Sequence, residues 1–497
     1  MATHRVDLST ARAFWHSKQG LGRAPAGSLA EVVAKTGWLR TLGGADVYLA
    51  AKARVPAMRR ADLDAATTAM DLRVLPAVRG CIYLVPRAHA PLAMRFAEGI
   101  WRKNASRDLA KVGVPWREIE AVAKAAEDTL AAGPLSTDAL RRAMPTGSVR
   151  SFGEAGKKVG ISSPLPLALR SLEFAGAVER TLEGGKLDSE RYLWRRAARS
   201  PFDGVSVPQD AAGLARALTE IFVAQMGPVT AKHVAEWAGI GLTEAREAAR
   251  ELGLLEVEVT GYADDALVSP DEIDALARAR PAESAVSFLS FEDNYFVPHG
   301  GPGLYVDPAH HDLEVHEWGS VRRATLGTSR HLASRSIVLG TTIGGFWELD
   351  PDRGHLELGF LESPSPAIRD RVEVVATSIA QFLTDEIGHG HAFSLDTDDS
   401  LRERLRVVRK LQMANPPTAK SQSPKPAPAK PAKSPAKKPP RSPAPKPPQS
   451  AAGGSRSGTA SHPASPPSKP SKARPAPADR PKTTLGDRSP APKARTR

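Results

Sequence analysis

Proline crowds the last sixth of this chain. Residues 415–497 hold 22 prolines, no glutamate, two aspartates and 18 lysines or arginines, a net of +16. Proline brings no backbone donor to a helix or ladder. A Pro/Ala/Lys/Ser mixture also buries too little apolar surface to offset the entropy of ordering a chain. The sequence therefore predicts a disordered basic tail and leaves residues 1–414 to fold. Those carry 50 basic and 53 acidic side chains, a net of −3, so the formal +13 of the 497-residue chain describes the tail. Apolar residues make up 41%, enough for real cores. No stretch reaches the ~18–20 apolar residues of a membrane span, and the first residues lack the apolar run of a secretory signal. Cys81 is the single cysteine, which excludes an intrachain disulfide and a cysteine-based zinc cluster. The expectation is a cytoplasmic, nucleoid-associated protein without cofactor or metal.

Three helix-rich stretches precede a strand-rich one. In the first, 1–127, Leu8, Ala11, Phe14 and Trp15 recur at helical spacing after a Ser9–Thr10 start signal, and residues 62–70 form another short helical run. Residues 78–86, Val-Arg-Gly-Cys-Ile-Tyr-Leu-Val-Pro, read as one buried strand stopped by proline. In the second, 128–207, Gly133-Pro134 breaks the chain, Ser136 caps a helix and residues 165–174 make another. Two short strands then flank Gly184-Gly185. Helices followed by a hairpin is the winged-helix order. The third, 208–275, repeats it. Thr230 caps a helix closed at Gly239, Thr243 caps the next, and residues 255–259 alternate as a strand. Val234, Trp237, Ile240, Leu242, Ala245, Ala248 and Leu252 fit one buried face. In 276–414, residues 286–289, 336–340, 343–349 and 355–358 read as strands, closed by one helix over 368–383.

Lysine spaced along an extended proline-rich tail suits a phosphate backbone, with affinity driven by counterion release. Lys425, Lys437, Lys438 and Lys446 sit in Ser-Pro contexts that resemble, in composition, the tails of linker-histone-like proteins. An anionic membrane is the lesser option, since no amphipathic or lipidated element accompanies the charge.

Taken in order, several segments resemble the AlkZ-like winged-helix DNA-binding family. They are Thr36-Gly37-Trp38-Leu39, Tyr48-Leu49-Ala50-Ala51-Lys52-Ala53-Arg54, Arg59-Arg60-Ala61-Asp62-Leu63, Val78-Arg79-Gly80-Cys81, Gly227-Pro228-Val229-Thr230-Ala231, Trp237-Ala238-Gly239, and Asp293-Asn294-Tyr295 with the strand pair after it. The resemblance implies an α+β fold of tandem winged-helix domains followed by a small β-barrel-like domain. It also implies a double-stranded DNA partner and kinship with glycosylases that unhook alkylated bases and interstrand crosslinks. Those glycosylases carry a Gln-x-Gln or Gln-x-Asp pair upstream of the family's tyrosine. Counting back from Tyr48, the pair falls on Arg40 and Leu42. A guanidinium has no acceptor and leucine no polar group, so neither can hold the attacking water. Arg40 can instead meet a phosphate, as can Arg79 of the altered Arg-Gly-Thr-x-His pattern.

The resulting expectation is a winged-helix DNA-binding protein lacking the family pair. The alternatives are a monofunctional DNA glycosylase using other residues, or a transcriptional or protein-interaction module. Asp293 is the substitute catalytic acid to consider, against the commoner role of a turn or capping aspartate. His299, His310, His311 and His316, with Asp307 and Asp312, lack the spacing of a helical zinc motif. Gly300-Gly301-Pro302-Gly303 lacks the Lys-Ser/Thr of a phosphate loop. Cys81 reads as a buried, inert thiol. The helix over 244–250 carries two Glu and two Arg, a poor surface for a phosphate groove.

Overall fold

The computed structural model describes residues 4–22, 26–318 and 323–414. The tail, with Lys425, Lys437, Lys438 and Lys446, lies outside the described residues. Strand β1 (His4–Asp7) runs directly into α1 (Leu8–Lys18). The cap is Asp7, whose carboxylate accepts from the Thr10 N–H at 2.7 Å, rather than Ser9 or Thr10. A carboxylate at the positive end of a helix satisfies an orphan donor and the dipole together. Next come α2 (Leu29–Thr36), with Ser28 and Glu31 in a capping box, β2 (Leu39–Arg40), α3 (Asp46–Arg54) and α4 (Arg60–Thr68). Strands β3 (Leu72–Pro76) and β4 (Ile82–Pro86) form a hairpin, to which β2 adds antiparallel. The strand expected over 78–86 thus starts only at Ile82. Arg79 and Gly80 take φ of 56° and 74° and turn the chain, and Cys81 is half-buried at the turn. Two long helices, α5 (Ala90–Lys111) and α6 (Trp116–Leu130), follow without having been marked in the sequence.

The second stretch holds α7 (Thr137–Ala143) capped by Ser136, α8 (Gly153–Lys158), α9 (Leu165–Phe174) and the hairpin β5 (Val178–Leu182) with β6 (Tyr192–Arg196). The third holds α10 (Ala211–Met226), α11 (Ala231–Ala238) capped by Thr230 and closed by left-handed Gly239, α12 (Leu242–Glu251), and the hairpin β7 (Leu255–Thr260) with β8 (Ala263–Val268). The α12 cap is Gly241, whose N–H the Glu244 carboxylate accepts at 2.6 Å, so Thr243 lies inside the first turn. Leu242 is exposed, not on the buried face. A short α13 (Ile273–Arg278) ends this part.

The C-terminal part carries β9 (Val286–Leu289), the small hairpin β10 (Glu314–His316) with β11 (Arg323–Thr325), β12 (Arg335–Leu339), β13 (Thr342–Asp350) and β14 (His355–Phe360). The sheet order is β14-β13-β12-β9, antiparallel throughout. It is open: β14 and β9 are edges, and no closed barrel exists among the described residues. Four strands are too few to close on a packed interior. Two helices cover it instead of one. They are α14 (Pro366–Gln381) and α15 (Asp398–Ala414), the latter seated through Leu401, Leu405, Val408 and Leu411.

The cores cross these stretches. Tyr48, Leu49, Leu63 and Leu84 share one core with Phe288, Ile337, Trp347, Leu349, Ile379 and Leu383. Phe14 and Trp15 of α1 share another with Val257, Val259, Tyr295, Phe296 and Tyr305, and β1 pairs parallel to β7. The loop after β2 is thereby pressed against the loop after β9, with about 250 residues of chain between them.

Candidate active site

The loop after β2 is clamped on both sides. The Leu42 carbonyl accepts from the Ser394 N–H at 2.9 Å, Gly44 N–H donates to the Asp188 carbonyl at 2.6 Å, and Ala45 N–H donates to the His391 carbonyl at 2.8 Å. Gly44 has φ of 68°, and a Cβ there would stand 2.5 Å from the Phe393 nitrogen. A side chain there would collide with the backbone of residues 392–393, which accounts for glycine at this position. Tyr48, one turn into α3, is fully buried. Its hydroxyl donates to Asp64 at 2.5 Å and accepts from the Leu187 N–H at 2.9 Å, and burial pushes its pKa up.

The facing wall is the loop after β9. Asp46, at the start of α3, accepts from the Phe291 N–H at 2.7 Å and pairs with the buried Arg335 of β12. Burial raises the Asp46 pKa against the pull of Arg335. Arg335 also meets Glu348, which meets Arg404, which meets Asp396, so a chain of buried charges ties the start of α3 to β12, β13 and α15.

Between the walls lies a cavity of about 30 Å³, lined among others by Arg40, Leu42, Arg54, Glu292 and Asp293. That is room for about one or two waters. The two positions read from the sequence as Arg40 and Leu42 and the suggested Asp293 therefore do meet at one place. Their states differ. Asp293 is saturated: Arg54 grips it in a fork at 2.7 Å on each oxygen, the Tyr295 N–H donates at 2.9 Å and the Ser290 hydroxyl at 3.3 Å. Both members of that pair are fully buried. Leu42 is apolar and half-buried. Arg40 lies over the Trp318 ring, 4.9 Å from its centre, and 3.4 Å from a Glu292 oxygen. Arg79 is exposed at its turn, in electrostatic reach of Tyr83.

Sequence reasoning missed Glu292, His331 and Trp318. Glu292 has φ of 57°, unusual for a residue with a Cβ. Its carboxylate is almost wholly buried. One oxygen accepts from His331 Nδ1 at 2.9 Å and faces Arg40, while the other has no hydrogen-bond partner. The bond to Glu292 raises the His331 pKa against burial and the nearby Arg40 and Arg79. Glu292 directly precedes the aspartate that was singled out, but nothing in the string Phe-Glu-Asp-Asn-Tyr reveals a left-handed backbone.

The histidine group disperses. His299 is buried, bonded to the Met226 carbonyl at 2.9 Å and the Tyr305 hydroxyl at 2.7 Å, and His310 pairs with Glu362 at 3.1 Å. Among the described residues, the donors that do converge are Asp350, His355 and Glu357, with Arg409 bonded to both carboxylates.

No curated protein matches the sequence. Among solved structures, the Streptomyces sahachiroi DNA glycosylase AlkZ superposes with a TM-score of 0.58 over 77% of this chain and 98% of its own, at 17% identity, a likeness of fold. Residues 39–382 match the family described as DNA glycosylase AlkZ-like. That span is well over half the sequence and includes both walls of the cavity, and the chain belongs to the AlkZ-like DNA glycosylase family.

Proposed function

We propose that this chain is a DNA repair protein that binds double-stranded DNA and releases alkylated bases by hydrolysing the N-glycosyl bond, with chemistry supplied by groups other than residues 40 and 42. One observation carries the reading. At the cavity where those two residues meet, a buried carboxylate keeps an oxygen free of any partner. Buried polar atoms are nearly always bonded, and a carboxylate oxygen left unbonded beside a cavity is one that can take a water. A monofunctional glycosylase needs such an acceptor, to hold a water against the sugar C1′ and to face an oxocarbenium-like transition state.

The supporting architecture is a set of tandem winged helices over 1–127, 128–207 and 208–275, with 276–414 as the closing part. DNA would be held by the first of these and by the C-terminal sheet domain. Arg40 and Arg79 are candidate phosphate contacts. The tail lysines Lys425, Lys437, Lys438 and Lys446 add non-specific affinity in a nucleoid-associated, cytoplasmic setting. A second reading, a binding protein without chemistry, is favoured by Arg40 being engaged with Glu292 and Trp318 and by Leu42 offering no polar atom.

The experiment is a base-release assay on the full chain with a duplex carrying N7-methylguanine, alongside an Arg40→Gln/Leu42→Gln double variant. Abasic product from the native chain supports the enzyme. Tight binding with no product supports the second reading, and neither binding nor product removes both. Deleting 415–497 should weaken binding and flatten its salt dependence, with the slope falling by roughly 0.9 for each phosphate that the tail no longer neutralises. An unchanged slope removes the tail from the account.

A further inference from the structure

Two carboxylates sit side by side at the cavity, and their surroundings divide the work between them. Asp293 has donors on both oxygens and a full counter-charge in Arg54, so nothing of it is left to accept a proton. Glu292 has donors on one oxygen only. Its backbone is held in the left-handed region, a strain that persists only where the surroundings impose it. The neighbours on each side impose it: the Phe291 N–H is tied to Asp46, the Asp293 carboxylate is locked by Arg54, and the Asn294 amide donates to the Trp38 carbonyl at 3.1 Å. A residue clamped at both flanks cannot relax. His331, two-fifths exposed, and Arg40, a quarter exposed, keep the carboxylate's other oxygen occupied.

We propose that Glu292 is the catalytic base of this chain, its unpartnered oxygen holding the attacking water for N-glycosyl hydrolysis in place of the acceptors that Arg40 and Leu42 lack. This deepens the glycosylase reading and rests on it. The step balances without a metal or co-reactant. The C1′–N bond of an N7-alkylated purine nucleotide breaks, and its electron pair goes to the purine, cancelling the positive charge placed there by alkylation. The base therefore leaves neutral and needs no acid. Water oxygen bonds to C1′, one of its protons passes to Glu292, and the products are the free alkylpurine and an abasic deoxyribose. Before the proton arrives, the carboxylate also faces the developing positive charge at C1′, a stabilisation worth more in a buried site than in water. His331 and Arg40 act as positioning residues, fixing the oxygen that is not used so that the other points to the water.

The test uses the full chain and the N7-methylguanine duplex. Glu292→Gln keeps the shape and loses the base, so single-turnover release should fall by about 10²–10⁴-fold, the usual worth of general-base catalysis, with duplex affinity within twofold of native. Glutamine keeps the backbone strain, so Glu292→Gly is the second variant. Glycine adopts positive φ freely, so this protein should fold at least as well as native yet be equally slow, and added formate should restore part of its rate. Release within threefold of native by both variants, or no response of Glu292→Gly to formate, overturns the assignment while leaving the glycosylase reading intact. A native chain that releases no base overturns both.

Discussion

At the scale of single residues, two arginines near one cavity illustrate how burial decides what a charge is for. Arg54 is fully buried and forked onto a fully buried Asp293. Arg54→Met would leave that carboxylate uncompensated, and denaturant unfolding should show a loss of about 3–5 kcal/mol. Arg40 is partly exposed, and its partner Glu292 retains His331 when Arg40 is gone. Arg40→Met should therefore cost under about 1 kcal/mol. Equal losses for the two would mean that the cavity does not distinguish a structural from a functional guanidinium. Of these residues, Arg40, Leu42 and Asp293 were legible from spacing and family likeness. Arg54 was legible only as part of a matching segment, because its partner lies 239 positions away.

At the scale of elements, helices and hairpins followed local chemistry. Ser136 and Thr230 cap as read, residues 165–174 form α9 as read, and Gly184-Gly185 sits between β5 and β6 with both φ positive. Departures came where a longer-range partner, or a better local one, took over. Asp7 and the Gly241–Glu244 pair cap in place of nearby Ser and Thr. The strand expected through Arg79 is broken by a turn, and α15 covers sheet surface expected to close on itself. Two glycines test the difference between local strain and close approach. Gly80 and Gly44 have similar φ, 74° and 68°, but a Cβ at Gly80 meets nothing, and one at Gly44 meets the backbone of residues 392–393. Gly80→Ala should cost about 1–2 kcal/mol. Gly44→Ala should cost clearly more, read as the difference between the two unfolding midpoints. Similar midpoints would show that the packing of the 42–45 loop on 391–394 adds nothing.

At the scale of the whole molecule, the cores knit the first residues of the chain to the last described ones, and buried histidines lie in that seam. Burial lowers the His16 pKa from 6.5 to about 4, and that of His299 to about 3. Above pH 6.5 neither state binds the extra proton and their contribution to stability is complete. As pH falls below 6.5 the unfolded chain takes up protons that the native state refuses, so stability drops until the native pKa is reached. Within that window each histidine should cost about 1.4 kcal/mol per pH unit. His16 Nε2 has no partner, so His16→Leu breaks no bond at that atom. The variant should lose about that much of the slope between pH 6 and 5, measured by urea unfolding, and an unchanged slope would place the acid sensitivity elsewhere.

Sequence by itself determined local pieces: the starts of α7 and α11, the span of α9, the turn between β5 and β6, that residues 415–497 form a basic proline-rich segment, and which family the segments belong to. Those depend on contacts within a few residues and on composition. It also placed Arg40, Leu42 and Asp293 as residues of interest, without their states. Tertiary structure alone decided that a saturated aspartate and a glutamate with one free oxygen share a cavity, that His331 bonds that glutamate while Trp318 lies against Arg40, and that Glu292 is held left-handed. These follow from buried charges finding partners across more than two hundred residues of chain and from a backbone clamped on both flanks, and neither leaves a periodic or local trace.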